Sequence, residues 1–300
     1  MEIIAGTTQF YLMRETAVAI GKFDGVHLGH RRLLQELLEQ KEKGLAACVF
    51  TFDPPPTVLF GASDGKELTT VREKRLLFER MGVDILIEFP LNRETAAISP
   101  ELFARRILAE QMNARFIAAG TDLSFGHRGA GNAELLRRLG PELGFSVKTI
   151  DKLCIEDAEV NSTYIRELLK EGDMERVELF LGIPYMVMGT VVHGRQIGRR
   201  LGFPTVNLLP EEDKLLPPNG VYESEVFCRG RRYKAISNVG FKPTVTQEKL
   251  AGVESYLYDF DGNLYDEEIE VYLKAFRRPE QRFDSLEALQ AQLQQDVKIL

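Results

Sequence analysis

Between Ala17 and about Val160, short apolar runs alternate with longer stretches in which apolar residues return every three or four positions. A run of about four to eight apolar residues suits a strand covered on both faces, and the wider spacing suits a helix with one face in a core. The strand candidates are AVAIG at 17–21, AACVFTF at 46–52, VDILIEF at 83–89, RFIAAG at 115–120 and FSVKTI at 145–150. Leu33, Leu34, Leu37 and Leu38 mark one connecting helix, and Leu102, Phe103, Ile107 and Leu108 another. This alternation predicts an α/β domain with a parallel sheet.

After Gly172 the rhythm changes. GIPYMVMGTVVHG, GVYESEVFC, YKAISNVG, VESYLYDF and IEVYLKAF are β-rich segments separated by Gly, Pro, Asn and Asp. Short strands so punctuated predict an antiparallel barrel. Helical spacing returns after Asp284-Ser285-Leu286-Glu287, where Asp284 can cap and Glu287 can reach back, so a C-terminal helix closes the chain. Gly182 and Pro184 end the last helical stretch before the barrel, which divides the chain into domains 1–182 and 183–300.

Composition narrows the function classes. With 44% hydrophobic and 28% charged residues the chain is an ordinary folded one, and 300 residues accommodate two cores. The net charge of −7 argues against a broad nucleic-acid-binding face, although a small phosphorylated ligand needs only a local cluster. Cys48, Cys154 and Cys228 are three in number and form no CxxC pair, so they read as reduced, buried thiols. No uncharged apolar run of about 18 residues and no secretory leader pattern is present, so no membrane is expected and the cytoplasm is the expected compartment. Self-association into a homo-oligomer is compatible with the sequence.

The first concentration of chemistry follows the strand AVAIG, which runs into KFDGVHLGH and then a leucine-patterned helix. In open α/β sheets ligands bind where strands end. A helix N-terminus offers unpaired N–H groups, and His27 and His30 can add donors to the same phosphate chain, while Gly29 admits close backbone approach. The alternative is a pair of surface histidines in a turn. A second candidate is the helix start Asn161-Ser162-Thr163-Tyr164-Ile165-Arg166, with Ser162 as a cap; alone, it is equally a helix start with a solvated arginine. A third is the glycine-rich GTDLSFGHRGAG at 120–131.

In the second half, GTVVHGRQIGRRLGFPTVNL at 189–208 puts a glycine- and arginine-rich loop just before Pro204-Thr205-Val206-Asn207. Glycines allow main-chain N–H groups to wrap phosphates, and a threonine hydroxyl can ligate Mg2+. A basic hairpin with a solvated tip is the plainer reading.

Taken together, these segments resemble the bacterial bifunctional riboflavin kinase/FAD synthetase family over nearly the whole chain. HxGH at 27–30, GTDLSFG and NSTYIR resemble its adenylyltransferase module; PTVN, LPPNGVYESEV, ISNVGFKPT, VES and FRRPEQRFDSLEAL resemble its kinase module. The resemblance implies a Rossmann-like nucleotidyltransferase fold, then a riboflavin-kinase barrel. It implies phosphorylation of riboflavin by ATP to FMN and ADP with Mg2+, then adenylylation of FMN to FAD with release of pyrophosphate.

Residue by residue, it assigns His27 and His30 to catalysis and Gly21, Phe23, Asp24, Gly29, Ser162, Thr163 and Arg166 to ATP at the first site. Asp122 and Phe125 fall to flavin there. At the second site it makes Glu254 the base that accepts the ribityl 5′-hydroxyl proton, Thr205 and Asn207 the metal ligands, and Gly194, Gly198, Arg199, Gly202, Phe203 and Pro204 the phosphate loop. It places Arg278 and Phe283 in the segment that closes over the flavin ring. The sequence departs from the family pattern at Pro55, where His is usual, at Leu123, Ser124 and Arg277, and at Tyr256, where a second His is common. Pro55, Leu123 and Ser124 motivate a competing reading, a kinase with a vestigial first module; a non-catalytic flavin-binding regulator is another.

Overall fold

The apolar runs become strands because both faces of the first sheet are covered. The computed structural model describes residues 1–61, 64–194, 198, 201–243 and 249–299. These form two compact units, Met1–Lys66 with Val71–Asn161, and Glu67–Thr70 with Ser162–Leu300.

The first unit holds a six-stranded parallel sheet. Its strands are β1 (Glu2–Ala5), β2 (Thr16–Ile20), β3 (Ala46–Asp53), β4 (Ile85–Pro90), β5 (Ala114–Gly120) and β6 (Ser146–Ile150), in the order β1-β4-β3-β2-β5-β6. Every residue of β2 is buried, which is why it reads as a continuous apolar run rather than an alternation. The edge strand β1 lies outside the stretch whose pattern signalled strands. A small hairpin, β7 (Cys154–Ile155) and β8 (Ala158–Glu159), follows the sheet. It leaves Cys154 exposed, correcting the expectation of three buried thiols; Cys48 and Cys228 are buried.

Chain order matters at one point. Successive strands run outward from β2 through β3 to β4, and the chain then returns to the other side of β2 to form β5. The strand order thus reverses between β2 and β5, the crevice where open α/β sheets take ligands.

Helix α1 (Leu28–Glu39) follows β2 and buries Leu33, Leu34 and Leu37. After α2 (Pro56–Leu59) and α3 (Val71–Met81), the turn α4 (Pro100–Leu102) runs into a π-helical segment, Phe103–Gln111. With hydrogen bonds five residues apart, the buried set becomes Phe103, Ile107, Leu108 and Met112, and Leu102 turns outward. The expectation that Leu102 shares the core face is corrected accordingly. Helix α5 (Ala133–Leu143) leads to β6.

In the second unit, α6 (Ser162–Glu171) and α7 (Met174–Leu181) pack with each other through Tyr164 and Phe180, and α7 packs against the barrel. The barrel strands are β9 (Tyr185–Val192), β10 (Thr205–Pro210), β11 (Gly220–Cys228), β12 (Arg231–Pro243), β13 (Lys249–Leu257) and β14 (Glu268–Pro279). They pair antiparallel in the closed order β10-β13-β12-β11-β14-β9. Alternation along β11 sends Tyr222, Ser224, Val226 and Cys228 inward. Inside the barrel, the hydroxyls of Ser224 and Ser237 and those of Ser237 and Ser255 lie 2.7 Å apart, so buried polar groups satisfy one another.

Helix α8 (Leu286–Asp296) ends the architecture. Its cap is Ser285, whose Oγ accepts from the Ala288 N–H at 3.1 Å, rather than Asp284. The short segment Glu67–Thr70 also belongs to this unit: the buried Lys214 ammonium donates to the Leu68 carbonyl at 2.7 Å and lies 4.3 Å from the Tyr185 ring centre. The Tyr185 hydroxyl donates to the Leu215 carbonyl at 2.6 Å.

Candidate active sites

The first site is built on the turn from β2 into α1. Phe23 (φ 52°) and Val26 (φ 42°) adopt left-handed backbone conformations that side-chain-bearing residues avoid, and Gly25 (φ 86°) lies between them. A β-branched residue such as Val26 is costly there, so surrounding contacts must hold the turn. The Phe23 ring is fully buried edge-on to Phe78, and the Arg31 Nε–H donates to the Val26 carbonyl at 3.1 Å.

This turn delivers His27 as the N-cap of α1. Its Nδ1 accepts from the His30 N–H at 3.3 Å, which leaves the neutral ring's proton on Nε2 as a donor. The two imidazoles stack with centres 3.6 Å apart and planes 18° from parallel. A side chain at Gly29 would put its Cβ 3.2 Å from the His27 ring, so glycine there keeps the pair intact. Among the described residues, nothing hydrogen-bonds to the buried His30 Nδ1.

Burial pushes the His27 pKa down to about 4, against the opposing pull of Asp24 and Asp122. Burial first, then His27 and Lys74, hold His30 well below the ordinary histidine range. Both rings are therefore neutral near neutral pH. That Asp122 acts on His27 fits its place at the end of β5, across the strand-order reversal from α1. Its carboxylate is exposed and lies 3.6 Å from Lys152. Phe125, by contrast, is only 3% exposed and packs on Phe103, so in this structure its ring anchors the glycine-rich loop from below.

A stability consequence follows from His27. Its pKa is lower folded than unfolded, so the unfolded chain binds more protons between roughly pH 4 and 6.5, and stability falls as pH drops through that window. Taking the first unit from pH 7 to 5 should cost it about 2 kcal/mol from this group. Hydrogen exchange of the α1 amides should report that loss, and His27→Asn, which retains a capping oxygen, should flatten it.

Ser162, Thr163 and Arg166 belong to the second unit. Ser162 is the first residue of α6 rather than the residue before it, and Arg166 lies 3.9 Å from Glu67.

The second site sits on the outer face of the barrel. Thr205 opens β10 and its hydroxyl donates to Glu254 Oε1 at 2.6 Å, while Asn207 pairs directly opposite Glu254 in the strand register. Two glycines press main chain onto these groups. A Cβ on Gly194 would lie 2.5 Å from Asn207 Nδ2, and one on Gly198 would overlap the Phe203 carbonyl and stand 3.4 Å from Thr205 Oγ1. Gly202 has a φ of 88°, open to glycine at little cost. Phe203 packs edge-on to Tyr256 at 5.8 Å, which gives that departure from the family pattern a role in seating the loop. Pro204 lies in the wall of a cleft of about 220 Å3 that also includes Thr205, Asn207, Phe260, Asn263 and Tyr265. Tyr265 stacks on His193 at 3.7 Å. Arg199 lies outside the described residues.

Arg278 is engaged differently from expectation. Its guanidinium donates twice to Asp296, at 2.9 and 2.5 Å, and thereby ties α8 to β14. Sequence reasoning passed over Asp296, whose only signal was an acidic residue in the last turn of a helix, where the helix dipole disfavours it. Removing the carboxylate with Asp296→Ala should strand a partly buried cation at a cost of about 3 kcal/mol. Faster hydrogen exchange in 286–296 and an earlier unfolding transition of this unit are the expected readouts. Arg277, by contrast, is ion-paired with Glu223, and Phe283 is half-buried ahead of α8.

Both halves of the chain match known families. The FAD synthetase family model matches residues 11–164 and the riboflavin kinase model residues 181–300. The bifunctional riboflavin kinase/FMN adenylyltransferase of Listeria monocytogenes is 33% identical over 293 residues, covering 97% of this chain and 93% of that protein. The Escherichia coli K12 protein of the same description is 36% identical, with 93% and 90% covered. A crystal structure described as a macrolide-efflux protein from Streptococcus pneumoniae superposes with a TM-score of 0.85 at 28% identity, covering 99% of this chain and 97% of that one. Among the described residues, no helix is long and apolar enough to cross a membrane. On the two family matches and the near-full-length relatives, the chain belongs to the bifunctional riboflavin kinase/FMN adenylyltransferase family.

Proposed function

We propose that the chain makes FAD in two steps, with the barrel phosphorylating riboflavin to FMN and the α/β module adenylylating FMN. The grouping that carries the kinase reading is Glu254 held by Thr205 and flanked by Asn207. Glu254 takes the proton of the ribityl 5′-hydroxyl as that oxygen attacks the γ-phosphorus of ATP, and ADP leaves. Thr205 and Asn207 supply a hydroxyl and an amide oxygen, hard donors of the kind Mg2+ shares with substrate phosphates. They would hold the ion, which neutralises charge on the phosphoryl oxygens when bound. Main chain at Gly194, Gly198 and Gly202, with Phe203 and Pro204, lines the phosphate loop, to which the resemblance also assigns Arg199. The cleft beside Tyr265 suits the nucleoside. Phe283 borders the flavin, and Arg278 serves that wall by fixing α8.

At the α/β module an FMN phosphate oxygen attacks the α-phosphorus of ATP and pyrophosphate departs. His27 Nε2–H and His30 stabilise charge on the transferring group, with Gly21, Phe23, Asp24 and Gly29 shaping the turn that presents them. Asp122 meets the flavin substrate from the β5 side and Phe125 supports its loop. Ser162, Thr163 and Arg166 keep the ATP role that the sequence resemblance gives them. The matches at 11–164 and 181–300 favour 1–182 and 183–300 as the functional modules. Dependence on ATP favours the cytoplasm, without nucleic-acid or membrane partners; a homo-oligomer is compatible.

Product analysis tests the pair of reactions. Purified protein given ATP and Mg2+ should convert riboflavin to FMN, and supplied FMN to FAD. FMN left unchanged would sink the adenylyltransferase half, and riboflavin left unchanged the kinase half.

A further inference from the structure

The outer face of the barrel carries a row of polar groups in register. Asn207 on β10 lies opposite Glu254 on β13, and Glu254 opposite Asn238 on β12. Their neighbours Val239 and Val253 are buried on the inner face, which fixes the row as outward-facing. Past Glu254, the Asn238 Nδ2–H donates to Glu280 Oε1 at 3.1 Å. Two residues along each strand, on the same outer face, Gly240 stands opposite Gly252. No side chain rises from the sheet there, a feature that marks close approach by a ligand or by other backbone. The Glu280 carboxylate lies so near this bare backbone that a Cβ on Gly240 would overlap it.

We propose that Glu280, aimed by Asn238, reads the secondary ribityl hydroxyls of the flavin and is a specificity-determining residue of the kinase site. The inference rests on the kinase reading above and deepens it. For deprotonation the 5′-hydroxyl must lie at Glu254, with the triphosphate on the side of Thr205 and Asn207. The rest of the polyol extends away from the phosphates, and along the row that direction leads to Asn238 and Glu280. An ionised carboxylate only accepts hydrogen bonds, and the remaining ribityl hydroxyls are donors. Strands about 4.8 Å apart put the second carboxylate within the span of such a chain.

The test uses the full-length protein and two flavin substrates: riboflavin, and an analogue with a 5-hydroxypentyl chain that keeps the terminal hydroxyl and lacks the secondary ones. Glu280→Ala should raise the riboflavin KM about thirtyfold, the order expected for losing a hydrogen bond to a charged group. Its kcat should stay within about threefold and the KM for ATP should not move. Glu280→Gln, which can still accept from Asn238, should recover part of the loss. For the analogue, wild type and both variants should share one KM. A riboflavin KM unmoved by Glu280→Ala, or an equal penalty on both flavins, overturns the assignment. Wild-type protein that leaves riboflavin unphosphorylated overturns the kinase reading and this inference with it.

Discussion

Glu254→Gln should lower FMN formation from riboflavin by about a hundred- to ten-thousandfold, the range for removal of a general base, while FAD formation from supplied FMN stays within about twofold. The substitution is chosen for what it preserves. Glutamine keeps the length of the side chain and an oxygen that accepts from the Thr205 hydroxyl, so the 2.6 Å contact that orients the group survives. It removes only the capacity to take a proton at neutral pH. Asn207 keeps its place opposite residue 254, because that pairing is set by the β10–β13 ladder and not by the side chain. Burst and steady-state assays of FMN with excess ATP would read the loss, and a thermal scan would verify the fold. A near-normal rate would move the base elsewhere. Loss of both activities in a folded protein would end the idea of two independent sites.

The sequence exposed these sites unevenly, and the reasons are physical. Strand and helix identities were legible because β2 is buried on both faces and α1 on one, so each writes its own period into the chain. The histidine pair was legible because HxGH straddles a strand-to-helix junction. That His27 caps the helix, and so fixes both its own tautomer and its stacking on His30, depends on left-handed backbone at Phe23 and Val26, residue types that do not announce that conformation. The approach of Asp122 to His27 depends on strand order: two strands separated by nearly a hundred residues are neighbours only because the chain crosses back over β2. Register hid the rest. VES and ISNVG are separate motifs in one dimension, and only the ladder sets Glu254 beside Asn238. The engagement of Arg278 by Asp296 and the use of Glu67–Thr70 by the second unit are tertiary pairings without a periodic signature.

His30→Ala should lower FAD formation from FMN by about a hundred- to thousandfold and leave riboflavin phosphorylation unchanged, the reverse of the Glu254 result. That magnitude is what a single preorganised donor facing developing charge contributes. Preorganisation is the relevant property here. The ring is stacked on His27 and tilted against Phe23 at 5.1 Å, so it needs little reorientation to meet a phosphate, and its buried Nδ1 has no partner among the described residues to give up. Because the two rings stack on one another, they act as a unit and their losses should not add. His27→Asn retains a helix cap, so it separates loss of the imidazole from loss of the α1 start. The His27→Asn/His30→Ala double variant should form FAD no more than about tenfold slower than His30→Ala alone, since loss of the His30 ring already removes the stacking partner that orients the His27 donor. Fully multiplicative losses would mean that each ring meets its own phosphate independently, and a double variant with unimpaired FAD synthesis would remove both histidines from the chemistry.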